Sequence, residues 1–355
     1  KWFEKEIAYQ IYEDGTFLQF SMNYHRVVVQ LLTLGISLAQ LNKEKFSAIV
    51  YDRANKSLEF LLANMDTETG WLPNYGANDG ALFFKHNNNH YRDYRPQLEA
   101  LGNVLGYKLN IGSFEDSKWI EAQSNCLDGE KNHPKKGALK FDIGGYYTFR
   151  TDDHFSLIRC GNHKDRPSQA DNLHLDIWYK GKNILHDAGS YKYNTSSEDL
   201  KYFMGTRSHN TVMLGNFDQM DKGSRFIWYN WTQKEGVSVN EDPNFYIFEG
   251  TIKAFGQLSK RITHHRKVLI NKNKPEWIIE DKIINKPIGI PMKQIWHTQF
   301  GKMVSFEVKD EKETSINKHL ETGYNSSFYG IKEKCEEIIF STEGSFIRTQ
   351  ILIAE

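Results

Sequence analysis

The chain has 355 residues with 45 basic and 45 acidic side chains, so its formal charge is zero when histidine is neutral. That balance removes the broad electrostatic case for nucleic acid or an anionic membrane as partner, and the length favours two domains over one. Cys126, Cys160 and Cys335 are odd in number and widely spaced, which excludes both a disulfide framework and a CxxC metal knuckle.

No run reaches membrane-spanning length, and nothing after Lys1 reads as a signal peptide. The chain opens without Met in apolar sequence and is expected to be a fragment or a processed form. Aromatic residues make up 14 % of it, a content that suits sugar stacking and β-sheet equally.

Residues 1 to 125 carry a helical period. After Tyr24, Val27, Leu31, Leu34, Leu38 and Leu41 recur at spacings of three and four, with Val28, Leu32 and Ala39 widening the stripe. Phe46, Val50, Ala54, Leu58 and Leu61 predict a second helix, and Pro96, Leu98, Leu101 and Leu105 a third. Helices with such broad apolar faces need neighbours on several sides, so an incomplete helical array is expected. Between the second and third lies WLPNYGANDGALFFKHNNNHYRDYR, residues 71–95, too long for a plain connection and too aromatic for disorder.

Past the boundary, expected in Asn125–Lys136, the period becomes two. Leu173, Leu175, Ile177 and Tyr179 alternate with His174, Asp176, Trp178 and Lys180, and KGKN turns into ILHDAG. Further strands are predicted at 145–150, 225–231, 245–252, 267–270, 277–284 and 347–353, with a short helix at 198–204. Residues 126–355 thus read as a large antiparallel β-domain, and the fold class as α+β.

Five phrases in order, DGTFLQFSMNYHR, LPNYGANDGA, YRDYRPQL, RPSQADNLHLDIWYKGKNILHDAGSYKYN and RSHNTV, resemble the heparinase II/III-like proteins. The resemblance implies a partial (α/α) toroid followed by an antiparallel β-sandwich domain. It also implies a polysaccharide lyase that cleaves a uronate-containing polymer by β-elimination, working in the periplasm or outside the cell. Its wording is similar to members associated with bacterial surface polysaccharides.

Elimination at a 4-linked uronate removes the C5 proton, so it needs a carboxylate neutraliser, a base and an acid for the leaving oxygen. By resemblance Asn23 is the neutraliser and His25 the neighbouring base or proton relay. The competing reading is a polar helix cap, with Asn23 capping and His25 exposed. Tyr75, Tyr91 and Tyr94 compete for the acid. Tyr91 is preferred because Arg92 and Arg95 flank this pair of tyrosines and would favour phenolate. Tyr24, Arg26, Tyr75, Asn78, Arg92, Tyr94, Arg95 and Arg166 are candidate substrate contacts. Asn78 and Asp79 in GANDG read equally as turn formers.

His209 of RSHNTV is a candidate catalytic residue and, with Asp187, a candidate metal ligand. In zinc-containing relatives the third ligand comes from an HxHxD-like phrase, but here PSQAD places Pro167 and Gln169 where histidines would stand. An amide is a poor zinc ligand beside imidazole. Structural zinc is therefore expected to be weak or absent, with Asp187 and His209 in a hydrogen-bonded core. His174 or Asp171 could substitute, although their spacing is no recognised signature. His186, His264, His265 and His297 read as ordinary strand surface or core. The rival functional readings are a non-catalytic glycan-binding or polysaccharide-assembly protein, and a hydrolase.

Overall fold

The computed structural model of the protein describes residues 1–120, 129–131 and 135–354, so Cys126 and most of the expected domain boundary lie outside the described residues. The chain divides into a helical unit, residues 1–135 with 141–144, and a sheet unit, residues 136–140 with 145–355.

The helical unit contains α1 (Trp2–Gln10), α2 (Met22–Leu41), α3 (Ala48–Ala63), α4 (Arg95–Val104) and the single turn α5 (Asp116–Trp119). Helix α3 packs on α1, α2 and α4, and α2 also packs on α4. The toroid stands only as an implication of the resemblance. Asp14 Oδ2 accepts from the backbone amides of Ile143 and Gly144 at 2.8 and 3.0 Å, tying residues 141–144 to this unit.

Helix α2 starts at Ser21, whose Oγ accepts from the Tyr24 amide at 3.1 Å; Ser21, not Asn23, is the cap. Its buried apolar stripe runs through Val29, Leu32, Ile36 and Ala39, whereas Leu38 and Leu41 of the expected stripe are exposed. Read backwards by four, that stripe reaches His25. The imidazole is buried between Phe17 and Phe60, with ring centroids at 5.7 and 5.6 Å, and its Nε2 lies 3.0 Å from Ser57 Oγ. Burial pushes its pKa down to about 3.

The sheet unit is a sandwich. A six-stranded antiparallel sheet runs in the order Gln233–Glu241, Phe245–Lys253, Thr263–Asn271, Glu276–Ile284, Phe346–Ile353 and Val304–Asp310. Its strands bury alternate residues, among them Phe248, Val268, Ile279 and Ile351. The shared core also takes Tyr147, Phe149, Ile158 and Ile177 from a five-stranded sheet, and Val212, Trp296, Ile338 and Phe340 from a four-stranded one. Helix α6 (Ser197–Met204) interrupts the strands as expected.

Two expectations change. All of Leu175–Tyr179 is buried, so its polar members face protein rather than water: Asp176 accepts from Trp178 Nε1 at 2.6 Å and from the Asp187 amide at 3.2 Å. The run at 225–231 keeps only Trp228–Tyr229 as strand, because Arg225 and Asn230 adopt left-handed backbone at φ 50° and 53°.

A buried charge cluster crosses the sandwich. Arg266 Nε and Nη2 donate to Asp281 Oδ1 and Oδ2 at 2.7 and 2.8 Å, and Nη1 donates to the carbonyls of Leu173 and Asn210 at 2.6 and 2.7 Å. His264 Nε2 lies 2.7 Å from Asp281, and Gln294 Nε2 donates to it at 2.8 Å. Burial opposes the ionised carboxylate, but the guanidinium overrides this and holds its pKa far below the usual range.

Removing one partner strands the other charge in the core. Arg266→Ala should therefore cost about 3–5 kcal/mol, read as a lowered denaturation midpoint; a loss under about 1 kcal/mol would mean the pair is not holding the sandwich. For His25 the folded-state pKa lies below the unfolded one, so the residue is neutral and without penalty above about pH 6.5. Its protonation then costs stability by up to ~1.4 kcal/mol per pH unit as pH falls through the interval down to about 3. The acid limb of the stability profile should be shallower in His25→Leu, and identical limbs would contradict the burial.

Candidate functional site

The second face of α2 is polar and buried, carrying Asn23, Arg26, Gln30, Thr33 and Ser37 at spacings of three and four. It meets the 71–94 segment, which is ordered without regular helix or strand. Gln30 Nε2 donates to the Phe84 carbonyl at 2.6 Å, and its Oε1 accepts from the Phe83 amide at 2.7 Å. At the helix mouth the Met22 amide donates to the Tyr75 carbonyl at 3.1 Å, and Ser21 Oγ donates to the Ala77 carbonyl at 2.5 Å. Gly76 between them has φ +82°, and a Cβ there would lie 2.1 Å from the Phe20 carbonyl oxygen. This close approach delivers GANDG to α2.

Asn23, Arg26, Asn78 and Tyr91 converge as a result. The Tyr91 hydroxyl hydrogen-bonds to Asn23 Oδ1 and lies 2.8 Å from Asn78 Oδ1. Arg26 Nη2 donates to the same Asn23 oxygen at 3.3 Å, and Nη1 donates to the Tyr91 carbonyl. The Arg26 guanidinium stacks between Tyr91 and Tyr94 at 4.4 and 4.3 Å. With its oxygen doubly engaged, Asn23 is left with a buried Nδ2 that has no hydrogen-bond partner among the described residues. Burial raises the Tyr91 pKa to about 12 against the opposing pull of Arg26, so the phenol is protonated at neutral pH. Tyr24 OH donates to Asp79 Oδ2 at 2.7 Å, while Asn78 and Asp79 also accept from the Gly80 and Ala81 amides at 2.9 Å. Turn formation and site support are the same act here.

Other expected members are placed differently. His25 points to the apolar core and does not join this group. Tyr75 and Tyr94 are both buried. Arg92 donates to the Leu72 carbonyl at 2.6 Å and stacks on Trp71, and Arg95 is forked onto Asp93 at 2.9 Å. Neither is the guanidinium that stacks on Tyr91; Arg26 is. Its place at i+3 from Asn23 was the signal available in the sequence. Arg166, in the sheet unit, is exposed and stacked on Phe226 at 4.5 Å.

In the sheet unit His209 Nδ1 lies 2.9 Å from Asp187 Oδ2, both fully buried. Burial would lower the His209 pKa, but the Asp187 charge prevails and raises it. His174, Asp187 and His209 bring one ligand atom each within 4.8 Å of one another. His174 Nδ1 accepts from the Asn210 amide at 2.9 Å, and the Nε2 atoms of His174 and His209 are buried without hydrogen-bond partners among the described residues. His209 Nε2 and the Asp187 carboxylate suit a zinc ion, but the amide held at Nδ1 puts the proton of neutral His174 on Nε2, so His174 joins as a ligand only by exchanging that amide for the metal at Nδ1. Gln169 is not in this trio: its Nε2 donates to the carbonyls of Gly189 and Phe203 at 3.2 and 3.1 Å. His264 and His297 are core residues, His297 lying 3.4 Å from Glu337.

The family model described as heparinase II/III-like, C-terminal, matches residues 133–348. A heparin-sulfate lyase from Bacteroides stercoris is 25 % identical over 303 residues, covering 80 % of this chain and 39 % of that protein. Among solved structures, a heparinase III gene product aligns with a TM-score of 0.74 at 17 % identity, covering 98 % of this chain and 54 % of that one. The heparan sulfate lyase HepC from Pedobacter heparinus aligns with a TM-score of 0.71 at 16 % identity, covering 99 % and 55 %. At such identity the structural likeness is one of fold, and the chain spans about half the length of these structures. The match over residues 133–348, more than half of the sequence, establishes that the chain belongs to the heparinase II/III-like family.

Proposed function

We propose that this chain contributes to a polysaccharide lyase that cleaves a uronate-containing polymer by β-elimination. The observation that carries the reading is the orphaned Asn23 Nδ2, beside a protonated Tyr91. A buried amide donor without an acceptor is costly unless a ligand completes it, and a uronate carboxylate is a strong acceptor. The bond it makes strengthens as charge moves from C5 into the carboxylate. The C5 proton passes to a base supplied from outside this cluster, the C4–O bond breaks as Tyr91 gives its proton to the glycosidic oxygen, and the Arg26 charge stacked on the ring offsets the phenolate left behind. Asn23 is only 3 % exposed, so the sugar reaches it when the 71–94 segment gives way.

The names of the relatives make heparan sulfate the first polymer to offer. Turnover should appear as growing ultraviolet absorbance of a 4,5-unsaturated uronate, and Asn23→Ala and Tyr91→Phe should each lower it by about 10²- to 10³-fold. Undiminished rates in both variants would reject these roles, and saturated products would indicate hydrolysis instead.

The placement of His25 favours a second reading, in which the chain binds or helps assemble an acidic glycan without cleaving it. A core imidazole with a pKa of about 3 is no base at C5. Saturable glycan binding with no unsaturated product would support this alternative. On either reading we infer that the protein works in the periplasm or outside the cell. No described helix is long and apolar enough to cross a membrane.

We also propose that His174, Asp187 and His209 hold a zinc ion, with His174 exchanging its Asn210 amide contact for the metal at Nδ1 and so taking the part that PSQAD cannot. When bound, the ion supplies a cross-link between three chain segments rather than a reactive centre, since all three ligands are buried. One equivalent of zinc should raise the melting temperature of metal-stripped protein, and His174→Ala should abolish that rise. Equal melting with and without zinc would leave the trio as a purely hydrogen-bonded core.

A further inference from the structure

We propose that the sheet unit carries a separate, non-catalytic groove for an acidic sugar chain, alongside α6. The inference does not depend on Asn23 or Tyr91 being catalytic. A cavity of about 920 Å³ lies here, within the range of saccharide-sized sites, and its walls include Tyr193, Lys201, Asn216, Phe217, Arg225 and Phe226.

Three of these residues are exposed aromatics: Phe226 is 53 % exposed, Phe217 41 % and Tyr193 37 %. Apolar rings gathered at one exposed concavity mark an interaction site rather than scattered surface. Flat rings beside amide and hydroxyl groups such as those of Asn194, Thr195 and Asn216 suit pyranose rings, which present C–H faces between hydroxyl edges.

Charge selects among sugars. Lys201 and Arg225 are exposed and have no ion-pair partner among the described residues, and neither has Arg166, which stacks on Phe226 at 4.5 Å. The wall also carries two carboxylates, which are held by hydrogen bonds from neutral amides. Asp218 Oδ1 accepts from the Thr206 amide at 2.7 Å, and Asp221 accepts from Asn230 Nδ2. In the wall Lys201, Lys222 and Arg225 outnumber Asp218 and Asp221, and Arg166 beside Phe226 adds a further cation, so the groove carries a net positive charge around aromatic platforms, which fits carboxylate- or sulfate-bearing sugars. Asp218 and Asp221 make it a poor match for the closely spaced phosphates of a nucleic acid.

The test uses the full chain carrying Asn23→Ala, so that turnover cannot consume the probe, and a heparan sulfate hexasaccharide titrated calorimetrically. Binding should be saturable. Phe226→Ala and Arg225→Gln, added singly, should each weaken it at least about tenfold without changing the melting temperature, since both side chains are exposed. Maltohexaose, which is neutral, should not bind. Unchanged affinity in both groove variants would overturn the proposal, as would equal binding of maltohexaose or tighter binding of duplex DNA. Weakened binding in the groove variants, with no elimination by the parent chain on any polymer, would sink the lyase reading and leave the groove standing.

Discussion

An α-helix turns about 100° per residue, and that constraint decides what SMNYHR does. Asn23 and Arg26 lie on one face of α2 and His25 on another, so a single turn serves two environments. One face meets the 71–94 segment and assembles a polar cluster with Tyr91 and Asn78. The other continues the apolar stripe of Val29, Leu32 and Ile36 into the core. The imidazole acts as a core residue that satisfies Ser57 while filling space between two phenylalanines. Proximity in sequence misleads here because neighbours on a helix diverge in space.

The two organising periods were legible in the chain, and so were several elements. The helix over Ala48–Ala63, the one beginning at Arg95 and the strands around 245–252, 277–284 and 347–353 follow directly from apolar spacing. Gln233–Glu241 and His319–Phe328 were not legible, since both are mostly polar and lack an alternating apolar signature. Leu175–Tyr179 deceived in the opposite sense. Its alternation suggested one wet face, but both faces are covered, and buried Asp176 finds its donors within the sheet unit.

The candidate site was partly readable. Residue types suited to carboxylate recognition stood at 23, 26, 78 and 91, but their convergence depends on a 24-residue segment with no periodicity to fold in the mind. Gly76 was one cue, since only a residue without a side chain lets the segment touch the helix mouth. The flanking arginines attracted attention because they adjoin tyrosines in sequence, yet Arg92 and Arg95 serve a carbonyl and Asp93. His174 was discounted because ligand spacing alone is a linear criterion. The fold brings it to Asp187 and His209 across the turn between two strands.

The reach of Arg266 has a kinetic corollary. Its guanidinium binds the Leu173 and Asn210 carbonyls, 93 and 56 residues away along the chain, while its carboxylate partner comes from the adjacent strand. Contacts so distant in sequence close late, because loop entropy must be overcome before they yield anything. Asn210 adjoins His209, so the imidazole–carboxylate pocket matures only as the sandwich locks. During synthesis the segment holding that pocket leaves the ribosome before the arginine that clamps it, and it waits unfinished until the later strands arrive.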